Sequence, residues 1–205
     1  MEILQKEQQS KAAELLVLCF LDNPMFISLM PNEQKRKQLL KPLFECLLAY
    51  TMQVGTIYIT SKNLEGMIAS VKEHPLNQLK RPFLFYGECA WRLITQVSWL
   101  TLITAYWRYH TKKRTFLILP KNLSHLTTYY SIQMFAVAPT QRHKGHARAL
   151  LDCVLGQAQA EHLPCLLETE TLSNVAMYKH FNFKVIGTLE YGKKEWRQYI
   201  MQHEG

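Results

Sequence analysis

The sequence predicts an α/β domain in three layers, with helices packed on both faces of a mixed β-sheet. Apolar residues recur at helical spacing in the N-terminal part, and two short strands are predicted between residues 56 and 72. A strand–loop–helix–strand unit then occupies residues 129–170. Helices that flank strands in this order favour a layered α/β architecture.

The N-terminal elements follow from apolar periodicity and from turn residues. Residues 7–20 are predicted to form a helix that ends before Asp22. A second helix is expected after Asn32, which is a suitable N-cap, and before Gly55. Because Pro42 lies inside the apolar stripe of that helix, we expect a kink or a late start there.

A hairpin and an aromatic-rich segment follow. Residues 56–61 and 66–72 are predicted to be the two strands of the hairpin. Residues 74–120 are helix-like, and the part from 83 to 116 is rich in aromatic residues. Those aromatics are interpreted as core or lid packing, or alternatively as one wall of an acceptor pocket; they include Trp91, Trp99, Tyr106, Trp107 and Tyr109.

The second half of the chain gives the clearest pattern. Residues 129–137 form a β-branched and aromatic run that Pro139 closes, so they are predicted to be a strand. An amphipathic helix is expected from Ala147 and an extended segment at 165–170. The remaining predictions are a short helix capped by Ser173, a left-handed C-cap at Asn182, and strands at 183–191 and 196–201.

Composition excludes several protein classes. The chain has 205 residues, of which 48% are hydrophobic and 20% charged, as in a globular domain rather than a disordered chain. The start is polar, unlike a signal peptide, and the most apolar segment, 93–107, is too short and too polar to span a membrane. The five cysteines are scattered and odd in number, so neither a disulfide framework nor a zinc site is predicted. We therefore expect a cytoplasmic protein.

The net charge is +8, which is compatible with a generally basic surface, with a phosphate-rich cofactor or with nucleic acid. The two dense basic runs, at 35–37 and 112–114, lie in no recognisable nucleic-acid motif. A third group of basic residues lies in the loop at 142–148. A glycine loop between a strand and a helix can gather backbone N–H groups around an anion, so this loop suits a pyrophosphate.

Two motifs in this half resemble the GNAT superfamily of N-acetyltransferases. Arg142, Gly145 and Ala147 fill the pattern [Gln/Arg]-x-x-Gly-x-[Gly/Ala] of its cofactor loop, after the lead-in Val137-Ala138-Pro139. Asn174 and Tyr178 then resemble the start of Asn-x-x-x-Tyr-x-x-x-Gly-Phe, with Asn182 in place of the glycine. The Leu167-Glu168-Thr169 segment is similar to a strand of the puromycin N-acetyltransferase-like subgroup.

The resemblance implies a fold and a division of labour. It implies a single GNAT-like domain over residues 1–205, with a mostly antiparallel and splayed central sheet. Residues 1–128 would form the acceptor half and residues 129–205 the acetyl-CoA-binding half. The implied activity is acetyl transfer from acetyl-CoA, used as a co-substrate, directly to a primary amine of a small molecule or peptide.

The resemblance also implies site residues. Tyr178 would act as general acid toward the leaving thiolate, or alternatively be a core tyrosine. Glu168 is the preferred general base, the alternative being a solvated carboxylate with proton loss through water. The backbone N–H of Val137 would face the developing oxyanion. The predicted acetyl-CoA contacts are Phe135, Ala136, Val137, Arg142, His143, Lys144, Gly145, His146, Ala147, Arg148, Asn174 and Tyr178.

Other readings stay open at this level. The chain could be a non-catalytic acyl-CoA-binding or regulatory domain of the same fold, whereas a nucleic-acid module gains nothing from the second motif. His143 and His146 are three residues apart but lack a third ligand at a fitting spacing, so no metal is predicted. No membrane partner is expected. The sequence identifies neither the acceptor amine nor the oligomeric state, for which a homodimer is one alternative.

Overall fold

A computed structural model describes residues 1–74, 95, 97–99, 101–103, 128–191 and 196–204. Seven strands in these ranges form one sheet. They are β1 Glu2–Ile3, β2 Thr56–Ile59, β3 Gly66–Glu73, β4 Tyr129–Val137, β5 Cys165–Thr169, β6 Lys184–Tyr191 and β7 Trp196–His203. The helices with described bounds are α1 Gln9–Phe20, α2 Pro24–Leu29, α3 Glu33–Val54, α4 His146–Ala160 and α5 Leu172–Lys179.

The sheet has the order β1-β2-β3-β4-β5-β7-β6. Every neighbouring pair is antiparallel except β4 and β5, which run parallel because α4 connects them as a crossover. The predicted mixed, mostly antiparallel sheet with flanking helices is therefore confirmed.

Each face of the sheet carries its own core. On one face, α1 and α3 pack on alternate residues of β2 and β3, such as Ile57, Met67 and Ala69. On the other face, α4 and α5 cover residues such as Ile68 and Leu167. This two-sided burial is what the alternation of strand side chains requires.

Several predicted boundaries agree closely with the structure, β4 among them. Two short elements near the N-terminus, β1 and α2, were missed, and α5 is capped by Thr171 rather than by the predicted Ser173. Asn182 has the expected left-handed backbone, with φ of 61°. The helix containing Pro42 starts directly after Asn32, so no late start occurs. Most of the segment at 74–120 lies outside the described residues.

Strand β4 contains a β-bulge that changes which face of the sheet its alternate side chains point to. Met134 pairs with Ala69 and Ile132 with Ser70, so Gln133 is an extra residue on β4. Before the bulge, Ile132 packs in the core under α4. After it, Met134 packs in the core under α1 and α3. The bulge thus lets both halves of β4 bury an apolar side chain on the correct face.

A buried arginine fixes the connections around α2. Arg36 is only 4% exposed and donates to three carbonyl oxygens: Leu21 at 2.7 Å, Met30 at 2.8 Å and Pro31 at 3.1 Å. Leu21 precedes α2, whereas the other two follow it. One guanidinium therefore satisfies backbone carbonyls at both ends of this short helix. Arg36 belongs to the dense basic run at 35–37.

The cysteines depart from expectation at one position. Cys19, Cys153 and Cys165 are free thiols, and burial raises the pKa of Cys165 to about 12. Cys46, by contrast, takes part in a disulfide, which the sequence analysis did not predict. In the described ranges, no helix combines the length and the apolar character needed to cross a membrane.

We predict that Arg36→Leu destabilises the fold by about 3 kcal/mol, because one buried and two partly buried carbonyl groups lose a charged donor at once. Urea unfolding followed by circular dichroism measures this change. Lys37→Leu is the matched control, since the one ion pair of Lys37 among the described residues is an exposed pair with Glu33. Removing that pair should change the free energy of unfolding by less than about 0.5 kcal/mol. Equal urea midpoints for Arg36→Leu and Lys37→Leu would contradict a stabilising role for the Arg36 hydrogen bonds.

Candidate functional site

Strands β4 and β5 separate partway along the sheet. Their parallel pairing covers Tyr130 with Cys165, Ser131 with Leu166 and Ile132 with Leu167. β4 nevertheless continues through Val137 and β5 through Thr169. The predicted splay is therefore present, and it begins at the bulged Gln133.

The separation leaves main-chain polar groups of β4 facing the opening. Ala138 donates to the carbonyl of Glu65 at 2.8 Å, and the Cα partners one residue earlier are Val137 and Gly66. This pattern makes Val137 a non-hydrogen-bonded position with respect to β3, so its N–H and C=O point toward the β5 side. Phe135, two residues earlier, has the same orientation. Both lie beyond the last residue of β4 that pairs with β5.

The residue between them, Ala136, is oriented the other way. Its polar backbone groups face β3, opposite Met67, and its side chain is buried under α1 and α3. The opening is therefore lined by alternate residues of β4. One of the exposed acceptors is already used: the thiol of Cys19 on α1 donates to the Val137 carbonyl at 3.4 Å.

The loop between β4 and α4 lies at the same end of the sheet as the opening and is open to solvent. Its residues from Arg142 through Gly145 are exposed. His143 and Gly145 both have left-handed backbones, with φ of 63° and 85°. A Cβ placed on Gly145 would meet no atom within 4 Å, so the glycine is required by its backbone angle and not by crowding within the protein.

Gly145 is the N-cap of α4, and the first turn of this helix has no side-chain cap. Within the described ranges, the backbone N–H groups from His143 through Ala147 have no main-chain acceptor. These donors add to the partial positive charge of a 15-residue helix. The loop can therefore bind an anion through its backbone.

The basic side chains of this region have different partners. The Lys144 ammonium donates to the Gln141 side chain at 2.9 Å. The guanidinium of Arg142 faces Cys19, where it lowers the thiol pKa against the larger effect of burial, which raises it. The guanidinium of Arg148 lies over the ring of Phe181 at 5.2 Å, which ties α4 to the end of α5.

Helix α5 brings Asn174 and Tyr178 to the opening. The Asn174 amide donates to the Thr169 hydroxyl at 3.1 Å, so it links the helix to the end of β5. The Tyr178 ring is 6% exposed and lies between Phe135, at 6.2 Å, and Phe183, at 5.7 Å. These contacts fix the ring beside the part of β4 that is unpaired.

The Tyr178 hydroxyl has no hydrogen-bond partner in the described part of the chain. Burial strongly raises its pKa, and the carboxylate of Glu170 and the thiol of Cys165 raise it further. A buried phenol normally finds a partner. Tyr178 thus keeps its proton at neutral pH and has a donor available to a bound molecule.

Glu168 lies at the other side of the opening. Its carboxylate reaches solvent but is surrounded by enough protein that desolvation raises its pKa, and Glu170 raises it again. The Gln198 amide donates to it at 2.5 Å, and Gln198 in turn accepts from the Tyr191 hydroxyl at 2.9 Å. Gln198 and Tyr191 are both buried, so this carboxylate is held by a fixed network.

Tyr178 and Glu168 approach the opening from opposite faces of the sheet. Tyr178 and Leu167 belong to the core under α4 and α5. Leu166 and Glu168 alternate with Leu167, so they point to the face that carries α1, α2 and α3. A molecule inserted between the strands would meet a phenol on one face and a carboxylate on the other.

Sequence reasoning missed three residues of this region: Cys19, Asn23 and Gln198. Cys19 and Gln198 contact the predicted site residues Val137 and Glu168, and Asn23 contacts Glu170, two residues after Glu168. No local motif marks them, and only the N-cap preference of an Asn-Pro pair gave a signal at Asn23. Within the ranges described, no group of three His, Cys, Asp or Glu side chains could hold a metal ion.

The site has the features that an acyl-CoA requires of a protein. An unpaired strand edge can bind an extended pantetheine arm, and a loop of free N–H groups can bind a diphosphate. The acetyltransferase (GNAT) family model matches residues 103–183, which include β4, the loop, α4, β5 and α5. No curated protein matches the chain in sequence.

Solved structures of acetyltransferases share the fold over nearly the whole chain. The histone acetyltransferase HPA2 and related acetyltransferase from Corynebacterium glutamicum is 17% identical with a TM-score of 0.66, covering 98% of this chain and 93% of its own. An N-acetyltransferase from Staphylococcus aureus is 18% identical with a TM-score of 0.62, covering 99% and 100%. Arylalkylamine N-acetyltransferase 2 from Aedes aegypti is 12% identical with a TM-score of 0.62, covering 99% and 97%.

The chain therefore shares the fold of solved acetyltransferases, and residues 103–183 match the acetyltransferase (GNAT) family model.

Proposed function

We propose that this protein is an N-acetyltransferase that acetylates a primary amine of a small molecule or peptide. One observation carries the proposal. The opening between β4 and β5 has unpaired backbone along one wall, the hydroxyl of Tyr178 on one face and the carboxylate of Glu168 on the other. An amine acetylation needs these three features: a thioester site, a proton donor for the leaving group and a proton acceptor for the amine.

The residues of β4 and of the loop would hold acetyl-CoA. Phe135 and Val137 would bind the extended arm through their backbone groups, with Ala136 as the spacer between them. The N–H groups of residues 143–147 would bind the diphosphate, and Arg142, Lys144 and Arg148 add positive charge near it. Asn174, which is anchored to Thr169, would orient the arm or a water. Bound acetyl-CoA supplies an activated acetyl group as a thioester.

The N–H of Val137 would stabilise negative charge on the carbonyl oxygen as the amine attacks. Tyr178 would donate its proton to the leaving sulfur. Its raised pKa keeps the phenol protonated at neutral pH. The same burial raises the basicity of a thiolate beside it, so the proton transfer is less unfavourable than the phenol pKa alone suggests.

Glu168 would accept the proton from the amine. A free amine has a pKa near 10, so it must lose a proton before or during the attack. Desolvation and Glu170 raise the carboxylate pKa, which makes Glu168 a stronger base than an ordinary carboxylate. The Gln198 amide keeps that carboxylate oriented.

Two features favour one class of amine acceptor. Leu167-Glu168-Thr169 favours the puromycin N-acetyltransferase-like subgroup, and the arylalkylamine enzyme from Aedes aegypti is named for a small amine. Both favour a small-molecule amine over a protein side chain. Residues 1–128 would supply the acceptor pocket of a cytoplasmic enzyme.

Measuring acetyl-CoA-dependent thiol release across a panel of arylalkylamines, polyamines, amino sugars and short peptides tests the proposed function. We expect release with at least one small amine and mass-spectrometric detection of the amide product. Tight acetyl-CoA binding by calorimetry without turnover on any acceptor would instead support a non-catalytic acyl-CoA-binding domain.

Tyr178→Phe should lower kcat by about 100-fold and leave the KM for acetyl-CoA unchanged. The variant keeps the ring contacts with Phe135 and Phe183 but removes the proton donor. Steady-state thiol release with both substrates varied separates the two constants. The control is Tyr199→Phe, on the neighbouring strand β7 and outside the proposed machinery. An unchanged kcat in Tyr178→Phe would exclude Tyr178 as the acid.

Glu168→Gln should lower kcat/KM for the amine by about 100-fold and change its pH profile. In the wild type, Glu168 accepts a proton only when ionised. Activity should therefore fall as pH drops through its pKa, which lies above the usual carboxylate value. That acidic limb should disappear in the variant. Glu190→Gln, an exposed position on β6, is the control. If the fall in activity at low pH persists in Glu168→Gln, a group other than Glu168 causes it.

A further inference from the structure

A second carboxylate lies beside Glu168 and is held by an amide from the N-terminal helices. Glu170 follows β5 directly and is half-buried. The Asn23 amide nitrogen donates to its Oε2 at 2.9 Å. Asn23 lies between α1 and α2, far from Glu170 in sequence, so this bond joins the acceptor half of the fold to the end of β5.

The orientation of the Asn23 amide is determined by a second bond. Asn23 is the N-cap of α2, and its Oδ1 accepts from the Met25 N–H at 2.9 Å. Because the oxygen is used in the cap, the NH₂ group must face Glu170. The buried Arg36 fixes the backbone on both sides of α2, so the amide has little freedom to turn away.

The charges around Glu170 show what this bond does. Glu168 on β5 and Tyr178 on α5 both sense its charge. In the described part of the chain, no Lys or Arg forms an ion pair with either glutamate. Burial raises the pKa of Glu170, and the bond from Asn23 lowers it. The Asn23 amide, together with a hydrogen bond from the backbone of Glu170 itself, therefore favours the charged form of this carboxylate.

We propose that Asn23 is a positioning residue of the acceptor site, which orients Glu170 as a second carboxylate facing the incoming ammonium group. This inference rests on the proposed amine acetylation. The two carboxylates, which form no ion pair with a Lys or Arg of the described ranges, would attract a positively charged acceptor, and Glu168 would then remove its proton. The α2 segment would thereby affect acceptor binding without contributing to the acetyl-CoA loop, which lies on the other half of the chain.

Two substitutions separate the cap from the amide donor. Asn23→Ser and Asn23→Asp both retain a good N-cap oxygen. Asn23→Ser should lower kcat/KM for the amine by about tenfold, the value of one hydrogen bond to a charged group, and leave the KM for acetyl-CoA unchanged. Asn23→Asp places a like charge against Glu170. It should raise the carboxylate pKa values and move the acidic limb of the pH profile upward by about one unit.

The matched control is Asn32→Ser. Asn32 caps α3 in the same way, accepting from the Lys35 N–H at 2.9 Å, and its side chain has no carboxylate partner among the described residues. Its kinetic constants should equal those of the wild type. The proposal would be overturned if both Asn23 variants had wild-type kinetic constants and if the acidic limb of their pH profiles lay at the wild-type position. Equal increases in the KM values for acetyl-CoA and for the amine, with a lowered melting temperature, would also overturn the proposal. Such a result would indicate that Asn23 is only a structural cap.

A readout that does not depend on turnover separates this proposal from the proposed function. Carbon-detected NMR titration of the Glu170 carboxyl should show a higher pKa in Asn23→Asp than in the wild type. If the wild type acetylates no amine but this shift occurs, the proposed function fails while the link between Asn23 and Glu170 stands. If the Glu170 titration is identical in the two proteins, the link is wrong whatever the activity.

Discussion

The site depends on the fact that β4 cannot stay paired with β5 beyond Ile132. The extra residue at Gln133 turns the later half of β4, so that Met134 joins the core under α1 and α3 while Phe135 faces Tyr178. A strand edge is thereby created inside the sheet, where a partner strand would ordinarily satisfy it. Unpaired backbone in such a place needs an extended ligand or water, which is why an open sheet can bind an acyl-CoA arm.

Charge is divided between the ends of this opening. The loop that begins α4 presents backbone donors and basic side chains, as a diphosphate requires. The proposed acceptor side presents Glu168 and Glu170, which accept from the amides of Gln198 and Asn23 and pair with no cation among the described residues. Neutral donors stabilise a carboxylate without cancelling its charge. A basic protein can in this way keep a locally negative region for an amine.

The N-terminal helices contribute through buried polar contacts as well as apolar packing. Arg36 satisfies carbonyls on both sides of α2, and Asn23 at the start of α2 reaches the end of β5. A buried guanidinium has many donors to place, and the turns around a short helix have many unpaired carbonyls. These hydrogen bonds fix the turns around α2 and join its first residue to the end of β5.

The sequence by itself determined β4, the loop glycine and the helix that follows, because backbone angles and apolar periodicity are local properties. The positive φ of Gly145 and of Asn182 could be anticipated for that reason. The sequence also indicated Tyr178 and Glu168 as site residues, through motifs with fixed spacing. Only the tertiary structure decided which face each one occupies, since one bulged residue reverses the alternation of a strand. The partners Asn23, Arg36 and Gln198 were likewise decided by the fold, because side chains distant along the chain meet only after the layers pack.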